Sequence, residues 1–470
     1  MLYTNSEALR PEIMDVLRLF DCENENFTHY FSTTGEVFFN SIEYKGEFYD
    51  FEDTQKVEDD LELKRYAKRF CKLSFYKVLK KVTGMSLPWG ALTGIRPTKL
   101  AYMEREAGRD FKQLFKAMDV SDPNISLVER ILNTQKRVYI KGGTDVFISI
   151  PFCPTKCEYC SFITAPIGST KGYVEDYLNC LVKEIESVAG KIHNLKSVYI
   201  GGGTPFVLEV DQLERVYSAL SKAFPKIREY TVEAGRADVF TEEKLAQAKR
   251  WGVTRICVNP QSFNNKTLEA IGRKHTAEQT IEAYHMAEKY GFDINIDLIA
   301  GLADEGVEEF AYSVDKAIEL NPANITVHTL SLKSGAKLKE NVKRLNIDCI
   351  EDMVMLSRRK LSDAGYEPYY MYRQKYQAGG LENVGWAKRG KACVYNVDVM
   401  EEIADNLALG ANAISKKLFD DGSRIERHAT PKDLVTYISK VDSLIKERGE
   451  LFGYFSGTRI GIYTKNHTKE

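Results

Sequence analysis

The chain predicts an α/β protein: a partial (β/α)6 barrel of TIM-like type, preceded by an N-terminal α+β accessory domain and followed by a mostly helical C-terminal domain. Three observations predict it. Between about residues 144 and 330, six strand-like apolar runs alternate with helical patterns, which is how a parallel sheet covered by helices reads in sequence. The 470 residues, 43% of them hydrophobic, suffice for two or three domains with substantial cores. Three cysteines fall within the eight residues 153–160, just beyond the first of those strand patterns.

The strand patterns are 145–150, 197–200, 229–234, 254–258, 292–299 and 324–330. Between them the helices carry their own punctuation. Tyr173, Tyr177, Leu181, Ile185 and Val188 recur at near-helical spacing and form one apolar face. Thr276 with Gln279 makes a capping box before Ile281, Tyr284 and Ala287, and Gly291 fits the position just past the helix end. The helix after Glu305 stops at Asn321, because the proline that follows disfavours helical geometry in the residue before it. These stripes are core. Residues 1–140 read differently: alternation over 36–45 and 46–51 about a Tyr-Lys-Gly turn predicts a hairpin, and 57–83 a charged helix. With 141–340 assigned to the barrel, 341–470 opens on helical patterns and contains a Gly- and aromatic-rich stretch, 366–395, that reads as loops and short strands.

Composition excludes several classes. Lys and Arg total 65 against 67 Asp and Glu, a net charge of −2, so no global basic field points to nucleic acid. No run of about 18 apolar residues occurs and the first residues lack a signal-peptide pattern, so no membrane span and a cytoplasmic location are expected. Six of the nine cysteines are scattered singly, which fits a reducing compartment. Of these, Cys180 and Cys257 read as small buried hydrophobes.

Cys153, Cys157 and Cys160 are the remaining three. Three thiolates at this spacing can hold three irons of a 4Fe–4S cluster and leave the fourth without a protein ligand, as an open catalytic cluster requires. Tetrahedral zinc wants a fourth ligand, and neither Cys nor His lies between Cys160 and Cys180, so spacing favours the cluster. About forty residues on, Gly202 and Gly203 belong to a glycine triplet at a strand end, followed by Thr204, where backbone approaches a ligand unobstructed; a tight turn explains such a triplet equally well. Glu233 closes the next strand and Arg236 follows it, at the C-terminal rim where barrel active sites form, and both are candidates for catalysis or ligand contact; a surface turn is the alternative. Gln261 and Arg273 lie in later loops. Asp297 interrupts an apolar strand, where burying its charge would be costly without partners, so a hydroxyl-bearing ligand is expected beside it. His275 reads as a solvated turn residue, and His328 closes the sixth strand pattern, where it either faces the cavity or is an ordinary strand end.

The Cys-x3-Cys-x2-Cys run with Tyr159 before its last cysteine resembles the radical S-adenosylmethionine (SAM) superfamily. Residues 260–263, 271–275 and 294–302 resemble its coproporphyrinogen dehydrogenase branch, and 381–387 and 407–415 the C-terminal part of the oxygen-independent coproporphyrinogen III oxidases. Residues 89–100 and 370–375 look like the HemZ-type subgroup. The resemblance implies that the open iron binds SAM, with Gly202 and Gly203 at its amino group, Glu233 beside it, Gln261 and Asp297 on its ribose hydroxyls and Arg273 pairing with its carboxylate. It implies a tetrapyrrole substrate, coproporphyrinogen III, whose propionates lose hydrogen, carbon dioxide and one electron to become vinyl groups, and an electron donor of reductase, flavodoxin or ferredoxin type. The dehydrogenases carry a fourth cysteine where this chain has Phe162, and a tyrosine and a histidine where it has Phe147 and Ser149. Phe162 matches the HemW-type heme chaperones, so heme binding or transfer is the alternative expectation, and a radical SAM tetrapyrrole methyltransferase a third.

Overall fold

The computed structural model describes residues 1–93, 96–160, 165–331, 349–374 and 380–454. Four strands, β1 (Leu2–Thr4), β2 (Phe27–Thr34), β3 (Val37–Tyr44) and β4 (Glu47–Thr54), form the N-terminal sheet in that order. The expected hairpin is β3–β4. Lys45 and Gly46 both take positive φ, 52° and 82°, as a two-residue hairpin turn matching strand twist requires. Along β3, Phe38, Asn40, Ile42 and Tyr44 point inward, and the helix Asp60–Thr83 lies near this sheet with Phe70, Phe75 and Leu79 buried. Asp59 caps it by accepting from the Glu62 amide at 2.7 Å, and Gly84 ends it at φ 73°.

The main sheet has eleven strands. In chain order they are β5 (Thr144–Ile150), β8 (Leu195–Gly202), β9 (Glu229–Gly235), β10 (Arg255–Val258), β11 (Asp293–Ala300), β12 (Asn324–Thr329), β13 (Glu367–Tyr372), β14 (Asn383–Ala387), β15 (Asp405–Leu409), β16 (Ile414–Phe419) and β17 (Arg424–Ala429); the numbers six and seven belong to a two-residue ladder, β6 (Phe152–Cys153) with β7 (Ala165–Pro166). Spatial order is β13-β14-β12-β11-β10-β9-β8-β5-β15-β16-β17. The six strands expected from the sequence are the consecutive parallel run β12 to β5, with ends displaced by at most two residues. No pairing between β13 and β17 closes the sheet among the described residues, so the barrel is partial.

Helical punctuation falls as expected. Thr276 and Gln279 form the reciprocal capping box, and the helix Val307–Leu320 ends on Asn321 at φ 58° before Pro322. Tyr173 departs from the expected apolar face: it precedes the helix Val174–Ser187 and is 43% exposed, so the buried stripe starts at Val174. Cys257 is buried in β10 and Cys180 half-buried.

Among its described residues the C-terminal segment has more helix than strand, and the sheet continues across residue 341: β13 and β14 extend one edge and β15 extends the parallel run beside β5. The reason is burial: 383–387 is buried along its whole length and 405–409 at every residue but Asp405, and strands covered on both faces are accommodated by joining an existing sheet.

No helix among the described residues is long and apolar enough to cross a membrane.

Candidate functional site

The C-terminal ends of the parallel strands open into one cavity of about 570 Å³. Cys153, Cys157 and Cys160 line it together with Gly202, Gly203, Thr204, Glu233, Arg236, Gln261, Arg273 and Asp297, the residues named from the sequence as candidates for metal, cofactor or catalysis. His328 lines it too, resolving its open reading towards the cavity.

The cysteine loop is clamped at both ends. The β6–β7 ladder closes it, the Glu158 amide donates to the Ile271 carbonyl at 3.1 Å, and the Gly203 and Thr204 amides donate to Ile150 and Phe152 carbonyls at 2.7 and 2.8 Å. Gly203 is there for space: a Cβ would lie 2.4 Å from the Phe152 carbonyl oxygen and 3.0 Å from Cys153 Sγ. The Thr204 hydroxyl donates to Cys153 Sγ at 3.4 Å, a contact that favours a thiolate. Among the described residues no three His, Cys, Asp or Glu converge on a single-ion site. A cubane cluster asks for something different, since each thiolate binds its own iron and the sulfurs stand further apart than around one ion.

Two arginines brace this loop. Arg236, 3% exposed, pairs with Asp238 through Nη2 at 2.6 Å and Nε at 2.9 Å and donates to Thr155 Oγ1 at 2.6 Å, inside the loop itself. Arg273 donates to Tyr159 Oη at 2.9 Å and to the Asn259 carbonyl. Burial disfavours its charge, but Tyr159 and Cys157 outweigh that and raise its pKa. His275 corrects the sequence reading. It is 3% exposed between Arg273 and Asp238, and burial together with Arg273 pushes its pKa down to about 3, so it is neutral. The capping box that opens at the next residue hid this: Thr276 starts a helix, while the residue before the cap turns inward.

The polar floor comes from β9, β11 and the loop after β10. Gln261 holds φ at 70°, an uncommon conformation for a side-chain-bearing residue, pinned by bonds from its amide to the Asp297 carbonyl at 3.0 Å and from the Ile299 amide to its carbonyl at 2.9 Å. Gln261 Oε1, Asn259 Oδ1 and Arg273 Nε are buried at the cavity wall without a hydrogen-bond partner. Buried polar atoms are normally paired, so these three await a polar ligand. Glu233 accepts from Tyr199 Oη and from Asn259 Nδ2 at 3.1 Å; burial and the charge of Asp297 push its pKa up to about 7. Asp297 is buried as well, but His328 at 3.6 Å and Asn295 at 2.8 Å reverse that penalty and hold its pKa below the usual range.

Sequence reasoning missed the far wall. Tyr395 stacks on Tyr199 with centroids 4.5 Å apart, and Phe147 stacks with each at 6.2 Å. His328 Nδ1 meets Tyr372 Oη at 3.1 Å, and Asn383, Asn396 and Met400 complete the wall. These residues come from β5, β8, β12, β13, β14 and the helix Val394–Glu401, with no motif spacing to flag them. Phe162 and Lys375, both marked in the sequence, lie outside the described residues.

Residues 147–317 match the radical SAM superfamily, and that is the class the fold and the cysteine loop define. The oxygen-independent coproporphyrinogen-III oxidase-like protein HemZ of Bacillus subtilis is 38% identical over 394 residues, 80% of this chain and 79% of that one. The heme chaperone HemW of Escherichia coli is 28% identical over 284 residues, 59% of this chain and 71% of its own. Coproporphyrinogen III oxidase (HemN) from Escherichia coli, a solved radical SAM enzyme, superposes with a TM-score of 0.52 at 22% identity over 66% of this chain and 72% of that one, a likeness of fold. The chain belongs to the oxygen-independent coproporphyrinogen-III oxidase-like family of radical SAM proteins. Its cofactors are those of that superfamily, a 4Fe–4S cluster and SAM. The residues present fit both: three thiols on one cavity, a glycine strap that a Cβ would obstruct, and unpaired amide oxygens on the floor beside them.

Proposed function

We propose that this protein is a radical SAM oxidoreductase of heme biosynthesis that carries out the oxygen-independent oxidative decarboxylation of coproporphyrinogen III propionates to vinyl groups, giving protoporphyrinogen IX. The observation that carries the reading is one cavity lined both by thiols with polar groups and by a stack of aromatic rings, the two sets meeting where Tyr199 donates to Glu233. The 38% identity to a coproporphyrinogen-III oxidase-like protein supports it.

In this reading Cys153, Cys157 and Cys160 hold the cluster, and Gly202, Gly203, Thr204, Glu233, Gln261, Arg273 and Asp297 hold SAM. When bound, the pair supplies a carbon-centred radical able to take a hydrogen atom from an unactivated position. The chain does the rest by placement. Gln261 Oε1 and Asn259 Oδ1 accept from ligand N–H or O–H groups. Asp297 stays ionised and accepts from a ribose hydroxyl, while Glu233, titrating near pH 7, holds or releases a proton beside it. Arg236 positions the cysteine loop through Thr155. Tyr199, Tyr395 and Phe147 offer ring faces to pyrroles and keep water from the reacting carbon. A reductase, flavodoxin or ferredoxin-type protein is the proposed electron donor and the cytoplasm the proposed location.

Anaerobic incubation of reconstituted protein with SAM, reductant and coproporphyrinogen III tests this. Vinyl-bearing product with stoichiometric 5′-deoxyadenosine is expected, and deoxyadenosine release independent of the porphyrinogen would sink the reading. A second reading, heme binding and transfer, is favoured by one feature: Phe147 gives the wall a third ring with no hydroxyl to orient a propionate. Stable heme uptake without substrate-dependent deoxyadenosine would select it, and methyl transfer to a tetrapyrrole would select a methyltransferase.

A further inference from the structure

The N-terminal part of the chain has no role in the reading above, and residues 89–100 stood out in the sequence without a function. In the structure this stretch reaches the cavity's far wall. Trp89 and Glu382 are both 1% exposed, and the indole Nε1–H donates to Glu382 Oε2 at 2.6 Å; Glu382 precedes Asn383, which lines the cavity. The Arg373 guanidinium lies 5.2 Å over the Trp89 ring and donates to the Leu92 carbonyl, and Arg373 stands between Tyr372 and Gln374, both cavity residues. Arg96 Nη1 donates to the carbonyl of Met400, a cavity residue, at 3.0 Å and pairs with Glu402 at the same distance. Lys99 Nζ pairs with Glu402 Oε2 at 2.6 Å, and Gln135 Nε2 donates to the Tyr369 carbonyl at 3.0 Å and Glu401 Oε1 at 2.9 Å.

Each of these partners falls within residues 369–402, on β13, beside the tips of β13 and β14 or at the end of the helix Val394–Glu401. The contacts are buried or half-buried and, apart from the Gln135–Tyr369 bond, charge-assisted, the kind that fixes geometry as well as adding stability. The Trp89 turn is itself anchored: a Cβ on Gly90 (φ 50°) would meet the Met118 carbonyl oxygen at 2.1 Å.

We infer that the N-terminal module is the positioning device of the cavity's far half: Trp89, Leu92, Arg96 and Lys99 hold the β13–β14 tips and the helix Val394–Glu401 at the separation that admits a tetrapyrrole. For the identity of that ligand the inference rests on the proposed function; for the tethers it stands alone. None of the four residues touches the cavity, so each acts through another.

Two readouts on the full-length reconstituted protein separate positioning from general stability. Trp89→Phe, which keeps the ring and loses the donor, and the double variant Arg96→Gln with Lys99→Gln are compared with wild type and with Lys99→Arg. Equilibrium titration with coproporphyrin III and with hemin should show about tenfold weaker binding of whichever tetrapyrrole wild type takes up, while iron content and SAM affinity stay within about twofold. Lys99→Arg, which preserves the charge, should behave as wild type. Hydrogen exchange should quicken by about tenfold in 394–401 and 383–387 and stay unchanged in β8 to β11. Unchanged exchange in 394–401 overturns the inference, as does a parallel fall in iron, SAM and tetrapyrrole binding. If wild type binds neither tetrapyrrole, the proposed function fails, and the exchange pattern alone still decides the positioning role.

Discussion

The two halves of the cavity are built on opposite principles. Around the cysteines, space and polarity are fixed by backbone: Gly203 is excluded from carrying a Cβ, Gln261 is pinned at positive φ and three polar atoms stand buried and unpartnered. On the far side, side chains do the work, with stacked rings from separate elements held in place by tethers from the N-terminal module. A half specified by backbone geometry suits an invariant cofactor. One specified by side chains from several strands and a single helix suits a substrate, and can change without disturbing the chemistry.

Four substitutions sharpen or break that contrast. The largest effect is expected from Cys157→Ala, which should abolish the 4Fe–4S absorbance of the reconstituted protein; an intact cluster signal would remove Cys157 from the ligand set. Gly203→Ala should come next. Its Cβ would press on the backbone oxygen of Phe152, an overpacking cost of about 1–3 kcal/mol, and the expected readout is a lower unfolding midpoint with reduced iron incorporation. Full iron content at wild-type stability would show that the strap has room to yield.

Tyr395→Leu addresses the other half. Losing its stack on Tyr199 and Phe147 should weaken tetrapyrrole binding by about 1 kcal/mol, some fivefold by titration, with iron content and SAM affinity retained. A fall in SAM affinity instead would mean the halves are not separable. The smallest effect is one of pH. Glu233 keeps its proton to about pH 7 when folded but loses it near 4.5 when unfolded, so between those values the folded state binds more protons and this group's contribution to stability falls as pH rises. His275 works in the opposite sense below its unfolded value, so only a difference isolates Glu233. The stability of wild type minus that of Glu233→Gln, measured by denaturant titration, should decline from pH 5 to 7; a flat difference would contradict the raised pKa.

The same contrast explains what could be read in the sequence. The six parallel strands and the cysteine loop were legible because each is a local pattern: apolar runs between turn signals, ligands at fixed spacing, a glycine triplet at a strand end. Gln261 and Arg273 entered by resemblance alone, since nothing local says that a glutamine after Pro260 takes φ 70° against β11, whereas Asp297 also showed as a charge interrupting an apolar strand. His275 was misread because sequence locates a helix cap but not the burial of the residue before it. The aromatic wall was invisible, because Phe147, Tyr199, Tyr372 and Tyr395 share no spacing and meet only when β13 and β14 join one edge of the sheet and 394–401 folds over β8. Edge pairing across 341 was missed for a related reason: 366–395 reads as loops and short strands, and no local pattern says which strand of a sheet they join.

Electron paramagnetic resonance of the anaerobically reconstituted, reduced protein, recorded with and without SAM, tests the central claim most directly. A 4Fe–4S signal whose g-values shift on adding SAM, and which disappears in Cys157→Ala, is predicted. A protein that holds only zinc, or a cluster whose spectrum ignores SAM, would contradict the account.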